Sequence, residues 1–297
     1  MRLVLTADNR IGVDQDGKFV DVSSVFDDIR YRTAKDRMPR VLAVFHDRLS
    51  KIQEAAAAGE PTDMPALQAP VPRPPKLIAA FGNYHEFQDR PRREQDMFLE
   101  SPESVIGPGG TVILPPHPAT KFHHEAELAL IVGKRAKDLK ADNSALECLA
   151  GYSCGLDISG RGLGRRGPSR MGKSFDTFTP IGPAIVTIDE VADPQDLDVR
   201  LSVNGDLRQE YNTSDMEYSA VEILSFISGY MTLVPGDVII CGTNHQGLSS
   251  VQDGDKIEMS IKGVGDLSVD VHDPLKREWE RGIDEEMAAR ARGVAAS

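Results

Sequence analysis

The chain has 297 residues, 40% of them hydrophobic and 27% charged, with a formal net charge of -12 at pH 7. That composition suits a folded globular protein of one or two domains and excludes a disordered or fibrous one. The acidic balance argues against nucleic acid and membrane surfaces as partners, and Cys148, Cys154 and Cys241 are too few and too scattered for a disulfide framework or a zinc site. Asp8 interrupts the N-terminus before an apolar stretch reaches signal-peptide length, and no later run has the length of a membrane span, so a cytoplasmic location is expected.

In chain order, residues 2–7 and 19–22 read as short strands, and 36–58 as a helix stopped by Gly59. Pro70-Val71-Pro72-Arg73-Pro74-Pro75 favours an extended connector, since proline fixes φ and lacks a backbone donor. A boundary is placed there, giving a small N-terminal α/β domain over 1–72, a larger domain over 73–273 and a helical extension over 274–297. Strands are expected at 77–81, 111–114, 126–132, 184–188, 197–203, 238–241 and 256–261. Ser144 with Glu147 and Ser219 with Glu222 have the spacing of capping boxes. The second opens a helix over about 220–231 with Ala220, Ile223, Leu224, Ile227, Tyr230 and Met231 on one side. Pro235-Gly236-Asp237 then turns the chain into a buried strand. In the tail, Trp279, Ile283, Met287 and Ala288 mark the narrow stripe of an amphipathic helix, either solvated or docked on a partner subunit. The sum is a β-dominated α+β fold.

The chemistry begins at His124-Glu125-Ala126-Glu127. Strand alternation puts Glu125 and Glu127 on one face, with Cα atoms about 6.7 Å apart, and Ala126, Leu128, Leu130 and Val132 on the other. A lone pair of this kind is more often a solvated strand face. A second apolar strand pattern, 151–159, delivers Asp157 into uncharged surroundings. Three carboxylates suit a hard cation such as Mg2+ or Mn2+, whose retained waters leave positions for a substrate.

From about residue 77 to 267 the chain resembles the fumarylacetoacetate hydrolase family, through Gly82-Asn83-Tyr84, 104–109, 123–134, 172–178, Val203-Asn204-Gly205, Gln209, Asn212-Thr213-Ser214 and 231–243. The resemblance implies a mixed β-sheet roll, a smaller N-terminal domain and a homodimer. It implies Glu125, Glu127 and Asp157 as ligands of Mg2+ or Mn2+, with Ca2+ as a substitute ion in crystals. Lys173 becomes a cation facing a small 2-oxo acid, and Arg161, Tyr84, Gly242 and Thr243 become substrate contacts.

The chain also departs from the family pattern. Gly160-Arg161-Gly162-Leu163-Gly164 stands where the family usually reads Ala-Arg-Asp-x-Gln, which suggests a widened wall and a substrate with a bulky distal group. Glu100 replaces a common lysine. The family's histidine and glutamate spacing lands on Phe87 and Arg90, so the candidate bases are His85, beside Glu86, and His245, with His85 ranked slightly ahead. His124 points away from the metal face and His123 toward it. Arg161, Arg165, Arg166 and Arg170 form a basic cluster suited to an anionic substrate or a solvated loop.

The expected reaction is hydrolysis of a carbon–carbon bond in a 2,4-dioxo acid of acylpyruvate or fumarylacetoacetate type, as in aromatic catabolism. An enolate held at the metal would carry it, with Lys173 stabilising charge or returning a proton. The same site would serve a 2-oxo acid decarboxylase or a 2-hydroxydienoate isomerase or hydratase. A non-catalytic binding protein is the weakest reading.

Overall fold

All seven residues of the strand Ala126–Val132 are buried, because each face of the strand enters a different core. Ala126, Leu128, Leu130 and Val132 face one, while Ala129 and Ile131 face the other. The face that begins with Glu125 and Glu127 therefore runs inward and is not solvated. This is a computed structural model in which residues 1–163 and 170–291 are described, so Gly164, Arg165, Arg166 and 292–297 lie outside the described residues.

Ala126–Val132 sits in the middle of a large mixed sheet. Leu149–Leu156, Thr179–Val186, Arg2–Leu5, Ile11–Gln15, Lys18–Asp21 and Thr62–Asp63 follow on one side; Val238–Ile240, Leu77–Ala80 and Met97–Glu100 follow on the other. Most pairs are antiparallel, but Val238–Ile240 runs parallel to Leu77–Ala80. A second sheet holds Asp206–Asn212, Asp198–Val203, Lys256–Ile261, Gly265–His272 and Thr111–Ile113 in that order. The first core draws on both sheets and on Ile223, Leu224 and Ile227 of the helix Ala220–Tyr230. The second joins Leu3, Phe26, Met38 and Ile52 of the N-terminal segment to Ile131, Ile185 and Ile240. Residues 1–72 thus share a sheet and a core with the rest of the chain. The strand-dominated mixed-sheet architecture is the one expected.

Several local expectations change. The helix expected over 36–58 is broken into Arg37–Leu42 and Leu49–Ala58, with a turn that buries Phe45 and brings His46 Nε2 to the Leu149 carbonyl at 3.1 Å. The Ser219–Glu222 capping box is present. At Ser144, however, the element is the 3-10 helix Asn143–Cys148, and Asp142 provides the cap. Tyr230 is exposed and does not join the apolar side of its helix. Among the described residues the tail is helical over Glu285–Ala291, where Ala288 is buried against this chain while Ile283, before the helix, is exposed. None of the described helices is long and apolar enough to cross a membrane.

Candidate active site

Strand register gathers the acids. Ala126 pairs with Leu156 across the antiparallel ladder, so the next residues outward, Glu125 and Asp157, are neighbours, and the Asp157 amide donates to the Glu125 carbonyl at 2.9 Å. Glu127 is two residues along on the same face. One oxygen from each of the three carboxylates lies within 4.8 Å of the others, and all three residues are buried.

Among the described residues, two cations meet this cluster. Lys173 Nζ donates to Glu125 and Asp157, and the Arg161 guanidinium donates to Glu125. Ser159 Oγ donates to Glu125 at 2.9 Å, and the Gly242 amide donates to Glu127 at 2.6 Å from a backbone at φ 85°, where glycine is the residue that fits. Asp157 Oδ1 has no hydrogen-bond partner among the described residues.

The electrostatics follow from that inventory. Burial pushes the Glu127 carboxyl well above the usual range, and the charge of Asp157 pushes it further. Burial likewise raises Asp157, to about 7. Glu125 is also buried, but Lys173 and Arg161 outweigh burial and hold it well below the ordinary value. Burial disfavours the charge on Lys173, yet Asp157 and Glu125 keep its pKa above that of a free lysine. Among the described residues, these two cations leave the three carboxylates under-compensated. An all-oxygen donor set with one orphaned oxygen fits a hard divalent cation.

Glu100, which the sequence marks only as a lost positive charge, is a fourth buried acid. It ends the strand Met97–Glu100, receives Thr179 Oγ1 at 3.4 Å, and is raised by burial and then by the charge of Asp157. Its Oε1 has no partner among the described residues.

A cavity of about 210 Å3 opens over these groups, with Glu125, Glu127, Lys173, Arg161, Gly242 and Thr243 in its lining. Glu86 and His245 line it too. His245 Nδ1 lies 2.6 Å from Glu86 Oε1, and the His245 amide donates to Glu86 Oε2 at 2.8 Å. Glu86 and Phe87 both take left-handed φ, 61° and 56°, and this sharp turn leaves Glu86 buried. His85 is not part of the cavity lining, and its amide bonds the Asp215 carbonyl. Of the two histidines expected as candidate bases, the cavity lining includes His245. Glu86 pairs with a histidine 159 residues away, and adjacency in sequence gave no sign of it.

Tyr84 also changes place. It is wholly buried, packs edge-on against Tyr211 with ring centroids 5.0 Å apart, and does not line the cavity. Gly162 does not widen the wall: it has φ 73°, and a Cβ there would lie 2.5 Å from Thr120 Cγ2. Gly164 lies outside the described residues. His124 has both ring nitrogens engaged, by Gln209 and Ser249, as suits a supporting residue. Arg170 pairs with Asp96 and covers Phe98. Nothing in the sequence pattern marks Asp284 or Arg290, and Met287 is marked only as part of the tail's apolar stripe: Asp284 bonds His123, and Met287 and Arg290 line the cavity.

Residues 76–272 match the fumarylacetoacetate (FAA) hydrolase C-terminal family. An uncharacterised protein of Pyrococcus horikoshii is 42% identical over 208 residues, spanning 67% of this chain and 89% of its own. A mitochondrial oxaloacetate tautomerase of Bos taurus is 34% identical over 252 residues, spanning 77% of this chain and 78% of its own. Among solved structures, a maleylpyruvate hydrolase from Sphingobium superposes with a TM-score of 0.81 at 34% identity, covering 92% of this chain and 100% of that one. The same enzyme in complex with manganese(II) and pyruvate also gives 0.81, at 35% identity, covering 92% and 99%. The ladder that assembles Glu125, Glu127 and Asp157 lies wholly inside the matched segment, and the chain belongs to the fumarylacetoacetate hydrolase family.

Proposed function

We propose that the protein is a divalent-metal-dependent hydrolase that cleaves a carbon–carbon bond in a small 2,4-dioxo acid. The observation that carries this reading is the under-compensated trio of Glu125, Glu127 and Asp157 in one site with the Glu86–His245 pair. The three carboxylates would hold Mg2+ or Mn2+, and the ion would supply Lewis-acid polarisation of the 2-oxo carbonyl. Thr243 lines the cavity, with its Oγ1 accepting from Gln209 at 2.8 Å and lying 3.4 Å from the Tyr211 hydroxyl, and would contact a substrate carboxylate. Glu86 takes the proton on His245 Nδ1, so Nε2 is the nitrogen free to receive a proton from water. That water attacks the distal carbonyl; the bond between the two carbonyl-bearing arms breaks, and the pyruvate arm departs as an enolate. Lys173, held against Glu125 and Asp157 in the cavity lining, would return a proton to the departing carbon.

A second reading, keto–enol tautomerisation of a 2-oxo dicarboxylate, is favoured by the small cavity of about 210 Å3 and needs only proton transfer by the same groups. Release of pyruvate from an acylpyruvate separates it from loss of enol absorbance without cleavage. Turnover should vanish in excess EDTA and return with Mn2+. Asp157→Ala should lose both metal and activity, whereas Lys173→Met should keep the metal and lose roughly 100-fold or more in kcat. Full activity of metal-stripped protein would refute the assignment.

A further inference from the structure

Residues 274–291 lie beyond the family match at 76–272, yet they are tied to the mouth of the site. Asp284 is the latch. Its Oδ2 accepts from Lys121 Nζ at 2.6 Å and from His123 Nε2 at 3.0 Å, and its amide donates to the Leu248 carbonyl at 2.8 Å. Upstream, Arg281 pairs with the buried Asp255 at 2.5 Å, and the Trp279 indole donates to the Thr120 carbonyl. Downstream, the helix Glu285–Ala291 packs on the turn His245–Gly247, with Ala288 buried beneath it.

The latch reaches the site chemically as well. Arg161 Nε, always a donor, lies 3.1 Å from His123 Nδ1, so that nitrogen accepts and Nε2 carries the proton given to Asp284. The histidine that anchors the tail thus also orients the guanidinium that meets Glu125.

On the helix, Met287 and Arg290 are three residues apart, share a face and line the cavity with Lys173 and His245. The other lining cations are committed to buried carboxylates: Lys173 and Arg161 to the acid cluster, and Arg93 to Glu217 at 2.8 Å. Arg290 is paired with Glu286, four residues earlier, and both side chains are exposed. Such pairs hold weakly in water, so among the described lining residues this guanidinium is the one available to an incoming anion, and its planar fork matches a carboxylate.

We propose that the C-terminal segment is a specificity wall: Arg290 receives a carboxylate at the distal end of the substrate, and Met287 packs against the carbons before it. The preferred substrate is then a 2-oxo dicarboxylate, not a bulky aromatic acylpyruvate. This inference rests on the reading of the site given above.

The test compares two 2,4-dioxo acids of equal length, one ending in a methyl group and one in a carboxylate, on the full-length Mn2+-loaded protein. Arg290→Gln should lower kcat/KM for the carboxylate-ended acid roughly 10- to 100-fold, mainly through KM. The methyl-ended acid should be unaffected, and Arg290→Lys should recover part of the loss. An equal loss on both acids, or none on the carboxylate-ended one, would overturn the wall. If wild-type protein cleaves neither acid, the hydrolytic reading fails, and calorimetric binding of the same two acids and of oxalate decides the inference separately. Weaker binding of the carboxylate-ended acid alone in Arg290→Gln supports it, and equal affinities in the two proteins refute it.

Discussion

Among single residues, the three acids of the cluster have different tasks because their neighbours differ. Glu125 is held ionised by Lys173 and Arg161, while burial and mutual repulsion raise Glu127 and Asp157. A cation that needs ionised ligands must therefore displace protons. The sign is definite: below about 7, the value to which Asp157 is raised, more protons occupy the trio, so cation affinity falls as pH falls. Without a cation, the raised carboxyls favour the folded state most below the unfolded carboxylate range, about 4, and that contribution is lost as pH rises toward 7. Mn2+ should consequently raise Tm more at pH 8 than at pH 6. Its binding enthalpy at pH 6 should depend on the ionisation enthalpy of the buffer, showing proton release, and should do so less at pH 8. Buffer-independent enthalpies at pH 6 would contradict the raised carboxyls.

At the scale of elements, what the sequence made legible was what a period of two encodes. Glu125 and Glu127 two apart, and Asp157 at the end of an apolar run, were enough to find the acid cluster, since pairing Ala126 with Leu156 brings them together. Strands with a polar outer face were harder to find: Asp206–Asn212 is mostly charged and polar, and only Gln209 and Tyr211 turn inward. The Glu86–His245 pair and the Asp284 latch were hidden because they join residues about 160 apart in sequence through tertiary packing, which leaves no local pattern. Gly162 shows the converse error, a substitution read as pocket volume when the backbone decides it. Just past the short strand Ser159–Gly160, its φ of 73° and the approach of Thr120 leave no place for a side chain. Gly162→Ala should destabilise the protein by about 1–3 kcal/mol in thermal or urea unfolding. It should leave the order of preference among acylpyruvates of increasing size unchanged. A shift of that preference at unaltered stability would restore the glycine to the pocket wall.

For the whole molecule, the issue is whether residues 1–72 form a separable domain, as the proline-rich run 70–75 suggests. The hydrogen-bond ladder gives a physical basis for the opposite expectation. Arg2–Leu5 is a central strand, paired to Ile11–Gln15 on one side and to Thr179–Val186 on the other, with Leu3 opposite Ile185. The terminal ammonium adds a bond to Thr187 Oγ1 at 2.7 Å and pairs with Glu190 at 2.6 Å. Leu3, Phe26 and Met38 complete the core that takes Ile131 and Ile240 from the strands bordering the site. Removing the N-terminal segment would strip one face of the sheet whose other end holds Glu125 and Glu127. Apolar burial contributes about 25 cal/mol per Å2, so the exposed face has no independent means of staying folded. We therefore predict one cooperative unit. In native-state hydrogen exchange, the slowest amides of Arg2–Leu5 and of Ala126–Val132 should open with free energies within about 1 kcal/mol of each other, and a fragment of residues 1–72 should be unfolded by circular dichroism. Amides of Arg2–Leu5 that open several kcal/mol more easily, together with a folded fragment, would make the proline run a true domain boundary and the site independent of what precedes it.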